Sequence, residues 1–169
     1  ALILILLYSL NHLNLLFNYI GARKNETAPP EIDFSKVNEL PFVTIQLPVF
    51  NELYVMERLL ETIPKLDYPK EKFEVQVLDD STDESIKLTT NKIEELQIQG
   101  YDVKYIHRTN RKGFKAGALR EGMDVAKGEF IAIFDADFLP QKDWVLKTIP
   151  YFKDDKIGVV QTRWGHINR

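Results

Sequence analysis

Phe130-Ile131-Ala132-Ile133-Phe134-Asp135-Ala136-Asp137-Phe138 is the stretch whose reading decides the fold. Its first residues are apolar and β-branched at Ile131 and Ile133, which predicts a strand buried on both faces, of the kind found in parallel sheets covered by helices. The strand runs into two carboxylates. On a still-extended chain Asp135 and Asp137 point the same way, toward the carboxyl end of the sheet, where open α/β sheets bind ligands. Two hard anionic oxygens on one edge can hold Mg²⁺ or Mn²⁺, with water and a substrate's phosphates as the remaining ligands. The same residues also fit a capping pair, with Asp137 or a neighbour starting a helix around Lys142 to Tyr151.

Working outward, the chain repeats this strand-and-helix pattern. Upstream lie a helix from Lys115 to Ala126 closed by Gly128, a basic loop from Arg108 to Phe114, a strand from Tyr101 to His107, and a helix from about Asp83 to Gln99 stopped by Gly100. Before these come a strand from Phe73 to Leu78 ending in Asp79-Asp80, and a helix with apolar Val55, Met56, Leu59, Leu60 and Ile63, capped by Asn51 and stopped by Pro64. The first strand runs from Phe42 to Leu47 and ends at Pro48. Downstream, a helix from Lys142 to Phe152 is interrupted by Pro150, and Ile157 to Thr162 reads as a last strand. Such alternation predicts an α/β domain with a mostly parallel sheet and helices on both faces.

In that topology several strand ends share one edge, bringing together Glu52, Asp79, Asp80, Asp135 and Asp137. Unneutralised carboxylates at such spacing are costly, so cations must join them, either a metal or the basic segment His107 to Lys115. Arg111-Lys112-Gly113-Phe114-Lys115-Ala116-Gly117 joins basic side chains to two glycines and opens a helix. The free N–H groups and dipole of a helix start favour an anion such as a diphosphate, with Lys115 as a point charge and Gly117 permitting a close approach; a solvated basic turn is the plainer alternative. Neither a Gly-x-Gly-x-x-Gly fingerprint nor a P-loop occurs. Phosphatases of the haloacid-dehalogenase type also carry Asp-x-Asp at a strand end, with the first Asp as nucleophile, and are the reading from a different class.

The 169 residues, 44% hydrophobic, suffice for one globular domain with a core. A net charge of −3, without a basic stripe, argues against nucleic acid as partner. The absence of cysteine excludes disulfides and thiolate metal sites. Residues 1–20 contain no Asp, Glu, Lys or Arg and, at ~1.5 Å per residue, just reach across the ~30 Å of a bilayer's hydrocarbon. They read as a transmembrane helix, with a signal-peptide core or buried helix as alternatives because of Asn11, His12, Asn14 and Asn18. Arg23 and Lys24 then place the following domain on the cytoplasmic side. Residues 21–40, with Pro29-Pro30, read as a linker, and the domain occupies 41–169. With Ala1 at its start, the chain reads as a piece of a longer protein.

Taken in order, Pro48-Val49-Phe50-Asn51-Glu52, Asp79-Asp80-Ser81-Thr82-Asp83, Gly113-Phe114-Lys115-Ala116-Gly117-Ala118-Leu119, Phe134-Asp135-Ala136-Asp137-Phe138 and Val160-Gln161-Thr162-Arg163-Trp164 resemble the membrane-bound family 2 glycosyltransferases. The resemblance is strongest to the mannan- and glucan-synthase-like branch of the cellulose-synthase superfamily and covers about Pro41 onward. It implies a GT-A (Rossmann-like) fold and inverting, metal-dependent transfer of a sugar from a nucleotide diphosphate sugar, of UDP-glucose or GDP-mannose type, to a glycan or lipid acceptor at the membrane. By position it implies that Phe50 lies against the nucleobase and Asp80 binds base or ribose. It likewise puts Lys115 on the diphosphate, Asp135 at the ribose and metal, and Asp137 on the Mg²⁺ or Mn²⁺. Glu52 closes the first motif and belongs to the same substrate-binding group. The family's general base and its Gln-x-x-Arg-Trp motif lie farther downstream, so the resemblance assigns no catalytic base here, only the donor-binding half of a site.

Overall fold

The computed structural model describes residues 2–24, 40–52 and 54–163. The chain divides into an N-terminal unit and a domain. The described residues of the first form the helix α1 (Leu2–Lys24), whose Leu2–Ala22 portion is long and apolar enough to cross a membrane. Two of its polar residues are satisfied within the helix: His12 Nδ1 lies 3.0 Å from the Tyr8 carbonyl and Asn18 donates to Asn14 at 3.3 Å. Such i, i+4 pairing lowers the cost of polar groups away from water. The helix continues past residue 20 through Lys24, so the first residues of the expected linker are helical. The rest of that linker, residues 25–39, lies outside the described residues.

The domain is built on four parallel strands, β1 (Val43–Val49), β2 (Phe73–Asp79), β3 (Val103–His107) and β4 (Phe130–Ile133), in the order β3-β2-β1-β4. Between them run α2 (Met56–Leu60), α3 (Ser85–Ile98) and α4 (Phe114–Met123), and α5 (Trp144–Thr148) follows. Residues with odd numbers in β1 and β2, such as Val43, Ile45, Leu47, Phe73, Val75 and Val77, share one core with α2, α3 and α5 through Leu59, Leu60, Ile93, Leu96 and Val145. The opposite face lies under α4 and is polar. Thr44 donates to Glu74 at 2.8 Å, Gln46 to Gln76 at 3.0 Å, and Lys104 pairs with Glu74 at 2.8 Å. Thr44, Gln46, Glu74 and Gln76 are all fully buried. Gly122 lets α4 seat directly on Gln46 and Gln76, where a methyl group would collide.

Several sequence expectations are corrected. The Asp-x-Asp strand β4 is an edge strand with Ile133 46% exposed; the strands buried on both faces are β1 and β2. Pro48 does not end β1. Its missing N–H falls on the β4 side, where Phe134 N–H to the Gln46 carbonyl is the last bond, so no ladder bond is lost. Asn51 caps no helix; it ties β1 to β2, its N–H donating to Ser81 Oγ at 2.8 Å and its side chain accepting from Thr82 N–H at 3.0 Å. The helix expected after it shrinks to α2 and a 3₁₀ turn at Ile63–Lys65, where Pro64 removes a donor. Pro150 likewise turns α5 into 3₁₀. Ile157 to Thr162 forms no strand. It lines a cleft of about 390 Å³ together with β4 instead of pairing with it, and Trp144 Nε1 donates to Thr162 Oγ1 at 3.1 Å.

Glu74 gives this architecture a pH signature. Burial favours its neutral form, but hydrogen bonds from Lys104, the Lys127 N–H and Thr44 outweigh that and hold its pKa below the ordinary 4.5. A carboxyl whose pKa is lower in the fold stabilises the fold above its unfolded pKa, and the contribution is lost as pH falls through the folded value. The melting temperature should therefore drop as pH goes below 4.5. In Glu74→Gln it should start lower at neutral pH and fall less steeply with acid; an acid slope equal to that of the wild type would contradict this role.

Candidate nucleotide-binding cleft

The site forms where β1, β2 and β4 end and α4 begins. Consecutive carboxylates at the end of β2 diverge. Asp79 accepts the Tyr105 hydroxyl and the Ser81 N–H, both at 2.7 Å, and burial together with Asp79 pushes the Tyr105 pKa above its usual value. Asp80 turns to Arg108, which donates Nε to Oδ1 at 2.7 Å and Nη2 to Oδ2 at 2.6 Å. Arg108 also donates to the carbonyls of Lys112 and Phe114 and to Glu121, so five contacts use the five N–H donors a guanidinium has. Its partners, Asp80 first, raise its pKa further.

Arg108 thereby fixes the basic loop, whose backbone is unusual. Arg111, Gly113 and Phe114 have φ of 44°, 74° and 50°, and Asn51 across the cleft has 54°. Left-handed backbone at non-glycine residues is uncommon and tends to gather at functional sites. Gly117 is required by the close approach expected of it, but the approaching group is the loop's own Lys112 carbonyl, which a methyl group would overlap.

Phe50, Glu52, Asp80, Lys115, Asp135 and Asp137 all line one cleft of about 340 Å³. The chain does not stay extended through the acidic pair, however. Phe138 N–H bonds to the Asp135 carbonyl at 2.9 Å, so Asp137 sits in a turn. Lys115 pairs with Asp135, and Arg108 with Asp80, so the basic segment neutralises two of the converging acids. Asp137 is exposed and, among the described residues, makes no ion pair or side-chain hydrogen bond. The same residues contain no cluster of three metal-ligating side chains. One unpaired carboxylate beside another, in a cleft that also carries Lys115 and Arg111, suits a divalent ion that draws most of its oxygens from phosphate and water. Two contributors were not singled out in the sequence. Arg108 was one basic residue among several, with no local pattern to distinguish it. Arg111 stacks on Phe50, its Cζ 3.2 Å from the ring centroid.

The fold has counterparts. The structure matches that of the mannosyltransferase PcManGT from Pyrobaculum calidifontis in complex with GDP-Man and Mn²⁺, with a TM-score of 0.70 and 29% identity over 85% of this chain and 41% of that one; the domain has a GT-A-like fold. Residues 44–169 match the glycosyl transferase family 2, and the chain belongs to that family. It is 44% identical over 135 residues to the probable glucomannan 4-beta-mannosyltransferase 7 of Oryza sativa subsp. japonica, covering 77% of this chain and 23% of that protein. It is equally 44% identical over 133 residues to glucomannan 4-beta-mannosyltransferase 1 of Cyamopsis tetragonoloba, covering 76% and 25%. The chain thus spans about a quarter of the length of these relatives. Membership places the chain among glycosyltransferases and not among phosphatases.

Asp80 and Arg108 are 4% and 3% exposed at their side chains. Removing one partner strands a buried charge, which typically costs about 3–5 kcal/mol. Urea denaturation should show that loss in Asp80→Ala, whereas Glu52→Ala, at the cleft wall, should stay within about 1 kcal/mol of wild type. Equal stability of the two variants would contradict the structural role of the pair.

Proposed function

We propose that the chain forms the donor-binding half of an inverting, metal-dependent glycosyltransferase that moves a sugar from a nucleoside diphosphate sugar, of GDP-mannose or UDP-glucose type, to a growing β-glycan. The observation that carries the reading is the convergence of Phe50, Asp80, Lys115, Asp135 and Asp137 on one cleft, in a chain whose relatives are named as glucomannan mannosyltransferases. Asp137, and Asp135 beside it, would hold the Mg²⁺ or Mn²⁺. When bound, the ion would neutralise the charge that grows on the leaving nucleotide. Lys115, paired with Asp135, would exchange it for a phosphate oxygen and so add a second positive charge at the leaving group. Asp80, its two oxygens oriented by Arg108, retains lone pairs for a ribose hydroxyl or base N–H. Phe50 bounds the cleft on the nucleoside side.

An anionic nucleotide meets this acidic edge only with a cation between them, so binding should depend on metal. By calorimetry, Asp137→Ala should abolish the gain in nucleoside diphosphate affinity that Mn²⁺ gives the wild type. Lys115→Ala should keep the metal response and lose about 1–2 kcal/mol, the value of a charge-assisted hydrogen bond discounted for its half-exposed site. Wild-type binding that is unchanged by EDTA would refute the metal site.

The helix α1 supports a membrane anchor, with Arg23 and Lys24 holding the domain on the cytoplasmic side. The chain should resist extraction from membranes by alkaline carbonate. Release of the intact chain into the wash would show that α1 does not span.

A further inference from the structure

Arg111 is the cleft's unexplained cation. Its guanidinium lies 3.2 Å from the Phe50 ring centroid and 5.3 Å from that of Phe114, so an aromatic from the end of β1 and one from the start of α4 flank it. Unlike Arg108, it makes no ion pair among the described residues, and its Nε is buried without a hydrogen-bond partner. Arg111 and Phe114 both carry left-handed backbone. A buried donor left unpaired and two strained residues are unfavourable in the chain alone, which suits a group held ready for a ligand.

The cleft lining holds two chemically distinct groups of side chains. Lys115, Asp135 and Asp137 supply charge for a metal and a diphosphate, whereas Phe50 and Arg111 supply a flat surface. An arginine stacked on an aromatic ring keeps its N–H groups in its own plane, at the edge, where they can donate in parallel. We infer that Arg111, shelved on Phe50, is the residue that reads the nucleobase and that it selects guanine over uracil. This deepens the nucleotide-binding reading above and rests on it. Guanine presents O6 and N7 as two adjacent acceptors, which match two parallel guanidinium N–H bonds. Uracil places a donor, N3–H, beside each carbonyl, so it can accept only one of the two. Phe50 acts on the base through Arg111 rather than by direct stacking on the covered face.

The test uses the full chain in detergent with Mn²⁺, titrated calorimetrically with GDP and with UDP. Wild type should bind GDP more tightly, by roughly 5- to 100-fold, the range expected for a bidentate contact. Arg111→Lys keeps the charge but loses the planar fork, so GDP affinity should fall further than UDP affinity and the GDP preference should move toward one. Phe50→Leu removes the shelf and should reduce the same ratio, giving a second reading should either variant fold poorly. A wild type that prefers UDP, or variants that melt like wild type and keep its GDP preference, would overturn the role of Arg111. Wild type binding neither nucleotide would overturn the nucleotide site itself, and this inference with it.

Discussion

The buried guanidinium of Arg108 is the contact on which the site's geometry depends. It leaves the end of β3, grips both oxygens of Asp80 at the end of β2, and holds two carbonyls of the loop that leads into α4. Charge-assisted bonds of this kind are short and directional, and breaking one in a buried place leaves a charge without compensation. Because all its donors are used, the loop has one arrangement in which Arg108 is satisfied. That arrangement fixes where α4 starts, and hence where Lys115 meets Asp135.

A second constraint acts below the cleft. The face of the sheet under α4 is a ladder of buried Thr, Gln and Glu side chains, closed by Lys104 and Lys127. Such a network favours one register of helix on sheet, since a shift would strand several polar groups at once. Gly122 allows the contact and Gly128 closes the far end, its N–H donating to Thr44 at 2.9 Å. Packing on the opposite face is apolar and less particular. The rigid register and the satisfied arginine together present the first turn of α4 to the strand ends.

Much of this was legible in the sequence, because the α/β rhythm and the acidic strand ends are local patterns. β1, β2, β3 and β4 each fall within a residue or two of expectation, and the six proposed site residues share one cleft. What was not legible was long-range. Apolar composition suggested that β4 lay buried, yet the central strands are the ones with alternating polar residues, because their polar face is paid for by cross-strand hydrogen bonds that no single segment reveals. Asn51 looked like a helix cap because its partners, Ser81 and Thr82, lie on another strand end. The expected last strand has β-rich composition, but it does not pair with the sheet, and pairing is not a property of composition. Arg108 and Arg111 stood undistinguished in a basic run, since burial and stacking are properties of the folded loop.

The central claim is that a nucleoside diphosphate and a divalent ion share the cleft between α4 and the ends of β1 and β4. Paramagnetic broadening of backbone amide resonances by Mn²⁺, measured with and without GDP, tests it most directly. The account predicts that, with GDP present, broadening centres on Asp135 to Asp137, extends to Lys115 and Phe50, and spares the residues around Gly100 at the far end of α3. Broadening centred elsewhere on the domain, or the same pattern unaffected by GDP, would contradict it.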